Sequence, residues 1–196
     1  MLIVLQIWGG LFYLLNKIFL SLAERKENQN TVGKSRWRIW SWIIYILGVP
    51  PWVIVLVYGR NWIAAALEAG GLPAMALGLI IALKGRGREP KWLNYVIMLC
   101  IIAGLGYSLY DWRGITTLSQ VYELAMVAGF LIGTYEIAKL KVSGYLWFIL
   151  MNIGCIALMY EQGGCNLLLW QQVLSIPFSI DAYITKKRKA NKSRLS

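Results

Sequence analysis

Apolar residues run along this chain in seven blocks, at 2–23, 39–57, 61–83, 93–110, 116–138, 145–160 and 165–183, separated by short polar or charged clusters. Each block is roughly twenty residues, which at ~1.5 Å of rise per residue lets a helix cross a hydrocarbon layer ~30 Å thick. The pattern predicts an all-α integral membrane protein with seven transmembrane helices. Composition points the same way: with 58% hydrophobic and 15% charged residues in a chain of 196, there is more apolar surface than one water-soluble core of this size can hide. The first block lacks a basic leader and a small-residue cleavage site, so it reads as a retained helix rather than a removed signal peptide.

Charge then fixes an orientation. Of the twenty lysines and arginines, seventeen fall in 25–38, 84–91, 139–141 and 186–194, which are the segments after the first, third, fifth and seventh blocks. Only Arg60 and Arg113 lie on the other side, and Lys17 sits inside the first block. Basic loops stay cytoplasmic, so the N-terminus is expected outside and the basic C-terminus inside, across a bacterial plasma membrane. The formal net charge of +11 invites a nucleic-acid reading, but charge confined to loops and a tail suits anionic lipid headgroups instead, and no nucleic-acid partner is expected. Residues 186–196, charged and without apolar periodicity, read as an irregular tail. Trp37, Trp40, Tyr58, Trp62, Trp92, Tyr110, Trp112, Tyr145 and Tyr160 fall near block ends, where amphipathic rings anchor at the membrane interface.

Much chemistry is excluded. The chain has no histidine, which removes imidazole ligation of haem or zinc. Cys100, Cys155 and Cys165 form no CxxC pair and read as packing residues. Without a nucleophile elbow, an HExxH motif or a cysteine–histidine set, no enzyme, metal site or cofactor is expected.

Polar groups at membrane depth are costly and mark functional candidates. Counted from the outer end of each block, Glu68 and Glu123 lie about 10 Å deep, Asn152 about 12 Å, and Trp170, Gln171 and Gln172 between roughly 9 and 12 Å. Side chains from four helices thus share one level, as the lining of a binding cavity in the outer half of the membrane would. Gln6, Gly10, Tyr13 and Lys17 form a polar stripe down the first helix. Gln120 shares a face with Glu123, and Asn166 shares one with Trp170. Gln6, Tyr13 and Asn166 are therefore secondary path candidates. Lys17 either lines the path or snorkels to the headgroups. Interhelical hydrogen bonding is the competing role for the amides and carboxylates.

A sparse internal repeat connects the halves. Glu68 stands five residues before Pro73, and Gln172 five before Pro177. Pro50, Pro51, Pro73 and Pro177 interrupt apolar blocks, where each removes a backbone donor and permits a kink. Two three-helix bundles joined by a linker helix (3+1+3) follow, with the first bundle at 1–91, the linker at 92–115, the second bundle at 116–185 and the tail at 186–196.

The run Thr116-Thr117-Leu118-Ser119-Gln120, the pair Trp147 and Asn152, and Leu169-Trp170-Gln171 resemble the C-terminal part of PnuC-type nicotinamide riboside transporters, over residues 116–185. The resemblance implies a SWEET-like 3+1+3 fold and facilitated diffusion of a pyridine nucleoside or another vitamin-like molecule by alternating access. It also implies Gln120, Trp147, Asn152 and Trp170 as substrate contacts. A carboxylate and an indole face both attract a pyridinium cation, and amides suit ribose hydroxyls. A thiamine or sugar carrier of the same fold, or a structural or sensory membrane subunit, would fit the same helices. The latter would pair Glu68 and Glu123 inside protein rather than leave them facing a cavity. The expected partners are a small-molecule substrate and membrane lipids, with homo-oligomer formation left open.

Overall fold

The computed structural model describes residues 2–26, 36–58, 62–110, 117–161 and 166–195, and they are almost wholly helical. Eight helices occur in chain order: α1 (Leu2–Lys26), α2 (Arg36–Tyr58), α3 (Trp62–Gly70), α4 (Leu72–Lys84), α5 (Lys91–Tyr110), α6 (Thr117–Ala138), α7 (Ser143–Glu161) and α8 (Asn166–Leu195). With α3 and α4 counted as one span, seven helical segments are long and apolar enough to cross a membrane.

The third span is the one that breaks. Pro73 has no N–H to give, and its ring collides with the carbonyl four residues back. The chain answers with a turn at Gly71, whose N–H donates to Leu67 O at 3.1 Å before Met75 N resumes the ladder on Gly71 O at 3.1 Å. A Cβ on Gly71 would lie 2.6 Å from the Phe130 ring of α6, so any larger residue there must displace that ring. Pro177, by contrast, sits inside an unbroken α8. The two halves of the sequence repeat therefore have different backbones.

Six of the spans close a ring. α1 packs on α2, α2 on α3 and α4, α4 on α6, α6 on α7, α7 on α8, and α8 returns to α1. α5 lies outside this ring against α3, α4 and α6. Its Leu93, Ile97 and Ile101 turn inward, whereas Trp92, Tyr95, Leu99 and Ile102 face outward where lipid would be. The closest approach is between α6 and α7. A Cβ on Gly129 would sit 2.5 Å from the Trp147 carbonyl oxygen, and one on Gly154 would sit 2.8 Å from the Tyr122 carbonyl oxygen. Small residues bring the two backbones together where van der Waals contact must replace a hydrophobic driving force.

One end of the ring carries the basic residues, and there α1, α2, α7 and α8 are tied by buried charge. Glu24 Oε1 accepts from Arg38 at 2.9 Å, from the Tyr145 hydroxyl at 2.6 Å and from Lys186 at 3.0 Å. Arg38 is only 1% exposed. Beside this cluster Arg25 grips Asp181 through two bonds, at 2.9 and 2.6 Å, and Ser21 also donates to Asp181. The expectation of an interfacial anchor at Tyr145 is thereby corrected: its ring is buried and its hydroxyl serves Glu24.

The expected irregular tail is also corrected, since α8 continues to Leu195. Its last turns contain no glycine or proline and are rich in lysine and arginine, both good helix formers. Lys189 further pins them by donating to the Glu24 and Arg25 carbonyl oxygens of α1.

Candidate functional site

Inside the ring, toward the end opposite the basic residues, lies a cavity of about 280 Å³. Every ring span contributes to it. α1 supplies Tyr13 and Lys17, α2 supplies Tyr45, Trp52 and Leu56, and α3 supplies Ala64, Leu67 and Glu68. From the second half come Glu123, Met126, Val127 and Phe130 of α6, Met151, Cys155, Leu158 and Met159 of α7, and Leu168, Gln171 and Gln172 of α8. Leu20, Trp42, Phe148 and Ala182, none of them more than 1% exposed, are core residues outside the cavity wall.

The polar groups in this wall are unequally satisfied. The Tyr13 hydroxyl donates to Glu68 Oε2 at 2.5 Å, joining α1 to the last turn of α3 just before the Gly71 break. Glu123 accepts from the Ser108 hydroxyl of α5 at 3.1 Å. Gln171 engages Ser175 through its amide nitrogen at 3.3 Å, yet its Oε1 has no partner among the described residues. The Oε1 of Gln172, the Trp52 Nε1 and the Lys17 Nζ are in the same condition, all buried and unpartnered. Acceptors and donors that would be satisfied in water are thus buried and unpartnered in residues of one cavity wall, at a desolvation cost of about 1–3 kcal/mol each.

Lys17 is only 3% exposed, so it does not snorkel. Its ammonium lies over the Phe148 ring, 3.2 Å from the centroid, and 5.0 Å from that of Tyr45. Tyr45 itself stands edge-on to Tyr13, Phe130 and Phe148, which builds an aromatic floor under the cavity.

The candidates named from sequence separate into groups. Glu68, Glu123, Gln171, Gln172 and Tyr13 line the cavity together. Gln120 is buried but turned away, with its amide donating to the Ser108 carbonyl oxygen of α5 at 2.6 Å. Trp147 is half-buried against Gly129 and Gly133, at the α6–α7 contact rather than the void. Asn152 is wholly buried beside Met151 and does not line the cavity, although neither of its amide atoms has a partner among the described residues. Trp170 is 62% exposed on the outer face of α8, because one step of about 100° separates it from inward-facing Gln171. Gln6 is half-buried about two turns above Tyr13, and the Asn166 side chain lies outside the described residues, as does Cys165.

The aromatic and sulfur lining was not visible from sequence. Tyr45, Trp52 and Leu56, or Met151, Cys155 and Met159, recur at helical spacing, but a lipid-facing stripe of a spanning helix is just as apolar. No protein-family model, curated protein or solved structure matches the chain.

Proposed function

We propose that this protein is a membrane carrier for a small ring-containing metabolite, nicotinamide riboside or a related vitamin-like nucleoside, moved by facilitated diffusion through alternating access. The observation that carries the reading is the cavity: charged and amide side chains from both halves of the chain converge on a void among six spans. A purely structural subunit gains nothing from buried groups left without partners, whereas a binding site does.

The chemistry suits such a solute. Glu68 attracts a cationic ring, Tyr45 and Phe130 offer ring faces and edges, and the free carbonyl oxygens of Gln171 and Gln172 accept from sugar hydroxyls. On the same reading the basic end faces the cytoplasm, by the distribution of lysine and arginine, and the N-terminus lies outside. Residues 1–91 and 116–185 act as two rocking units, with α5 as the linker. The ties between Glu24 and both Tyr145 and Lys186, and between Arg25 and Asp181, run from the first unit to the second and its C-terminal extension and hold the cytoplasmic end shut. The Gly71 break lets α3 move with Glu68 while α4 stays packed, and trapping of the solute falls to a downstream cytoplasmic reaction.

The test is uptake into proteoliposomes of labelled nicotinamide riboside, with thiamine and simple sugars as competitors. Saturable uptake that drops in Glu68→Ala and Gln171→Ala supports the carrier. Flux equal to protein-free vesicles, or unchanged in both variants, overturns it.

A further inference from the structure

We infer that the solute taken by this cavity is a zwitterion, with its cationic end at Glu68 and an anionic group, a carboxylate in the simplest case, at Lys17. This rests on the carrier reading above and narrows its substrate. A carrier of a simple cation has no use for a second, positive group in its binding chamber, yet one is present.

Lys17 Nζ is buried and has neither a hydrogen-bond acceptor nor a salt-bridge partner among the described residues. The faces of Phe148 and Tyr45 offset part of the loss of water but give the ammonium nothing to donate to. Glu68 lines the same cavity, but the group bonded to it is the Tyr13 hydroxyl rather than Lys17. Lys17 and Glu68 both line the cavity yet form no ion pair within 4 Å, and a low-dielectric setting strengthens the pull of each on an arriving charge.

A zwitterion that reaches both groups satisfies both. A monocation gains Glu68 and is repelled by Lys17, and a monoanion meets the reverse. Gln171 and Gln172 add two unpartnered carbonyl oxygens for N–H or O–H groups, while Met126, Val127 and Leu158 supply apolar wall for a ring. A volume of about 280 Å³ is at the small end for ligand pockets and suits a solute of about nucleoside size.

The experiment compares an isosteric pair in proteoliposomes: nicotinamide riboside, a cation, and nicotinic acid riboside, in which a carboxylate replaces the carboxamide and makes a zwitterion. The wild type is expected to take up the zwitterion with about tenfold lower half-saturation, as one charge-assisted hydrogen bond gives. Lys17→Met should abolish that preference by weakening the zwitterion alone. If Lys17→Met does not fold, Lys17→Gln, which keeps a polar tip without the charge, reads the same ratio. Equal or better uptake of the amide by the wild type, or a Lys17 variant that weakens both solutes alike, overturns the inference and leaves the carrier reading standing. If neither solute enters vesicles, thermal shifts of the purified protein decide: a Lys17-dependent shift with the zwitterion alone keeps the binding inference and overturns transport, and no shift overturns both.

Discussion

The Tyr13 hydroxyl donates to Glu68 Oε2 at 2.5 Å, so a carboxylate in the middle of one apolar span is held by a phenol fifty-five residues earlier in another. The bond sets the position of Glu68 in the cavity wall. Glu68→Gln keeps an oxygen for Tyr13 to donate to and loses only the charge. Thermal stability should therefore stay near wild type, while uptake of a cationic nucleoside falls tenfold or more, about 1.4 kcal/mol of lost attraction. Initial rates and melting curves on the same preparation check both halves of this expectation.

The Glu24–Arg38 pair at the basic end carries stability instead. With Arg38 1% exposed and Glu24 bound to three donors, removal of Arg38 leaves the buried Glu24 carboxylate with only Tyr145 and Lys186, at a cost of up to about 3 kcal/mol. Arg38→Met should lower the melting temperature in detergent by roughly 10 °C. The double variant Glu24→Gln, Arg38→Met should be less impaired than the sum of the two single changes, because the bond the two side chains share is then lost once rather than counted twice.

Adjacent positions on α8 should behave oppositely. Gln171 faces the cavity and Trp170 faces outward, 62% exposed. Gln171→Ala is expected to reduce uptake several-fold, by loss of an acceptor worth about 1 kcal/mol. Trp170→Ala should leave the half-saturation within about a factor of two, since no cavity contact is removed. A large effect of Trp170→Ala on half-saturation would place the solute elsewhere.

Gly129→Ala tests the backbone contact between α6 and α7. Its Cβ would fall 2.5 Å from a carbonyl oxygen and 2.7 Å from a backbone nitrogen, neither of which can swing aside. Overpacking of this kind costs about 1–3 kcal/mol, so melting should shift down clearly, whereas Gly106→Ala, which meets nothing within 4 Å, should not.

In the loop between α4 and α5, the Lys139 ammonium at 2.8 Å, aided by the Gly87 amide at 2.7 Å, holds the Glu89 carboxyl below the ordinary carboxylate range. A carboxyl lowered in the folded state stabilises the protein fully above its unfolded pKa of about 4.3, and that contribution disappears as pH falls through the lower folded value. Glu89→Gln should flatten the stability profile in that acid window and change little at neutral pH beyond the loss of the pair itself. The pair is near the surface, so the effect should be at most about 1 kcal/mol. Melting curves from pH 3 to pH 7 check it.

The number of spans, their lengths and the gathering of basic residues at one end followed from the chain alone, because lipid thickness and loop charge act on residues wherever their neighbours lie. Glu68, Glu123, Gln171 and Gln172 were legible for a related reason, since a polar group at membrane depth is conspicuous against an apolar block. What tertiary structure decided was direction. The ring order of the helices turned Trp170 outward and Gln171 inward, diverted Gln120 to a carbonyl of α5, and brought Tyr45 and Phe130 under the void. Lipid and protein interior are equally apolar solvents for a side chain, so hydrophobic periodicity carries no record of which face of a spanning helix looks inward. Lys17 shows the same limit for charge. Its depth could be counted along the helix, but only the tertiary structure set its ammonium against Phe148 and Tyr45 in a residue of the cavity wall.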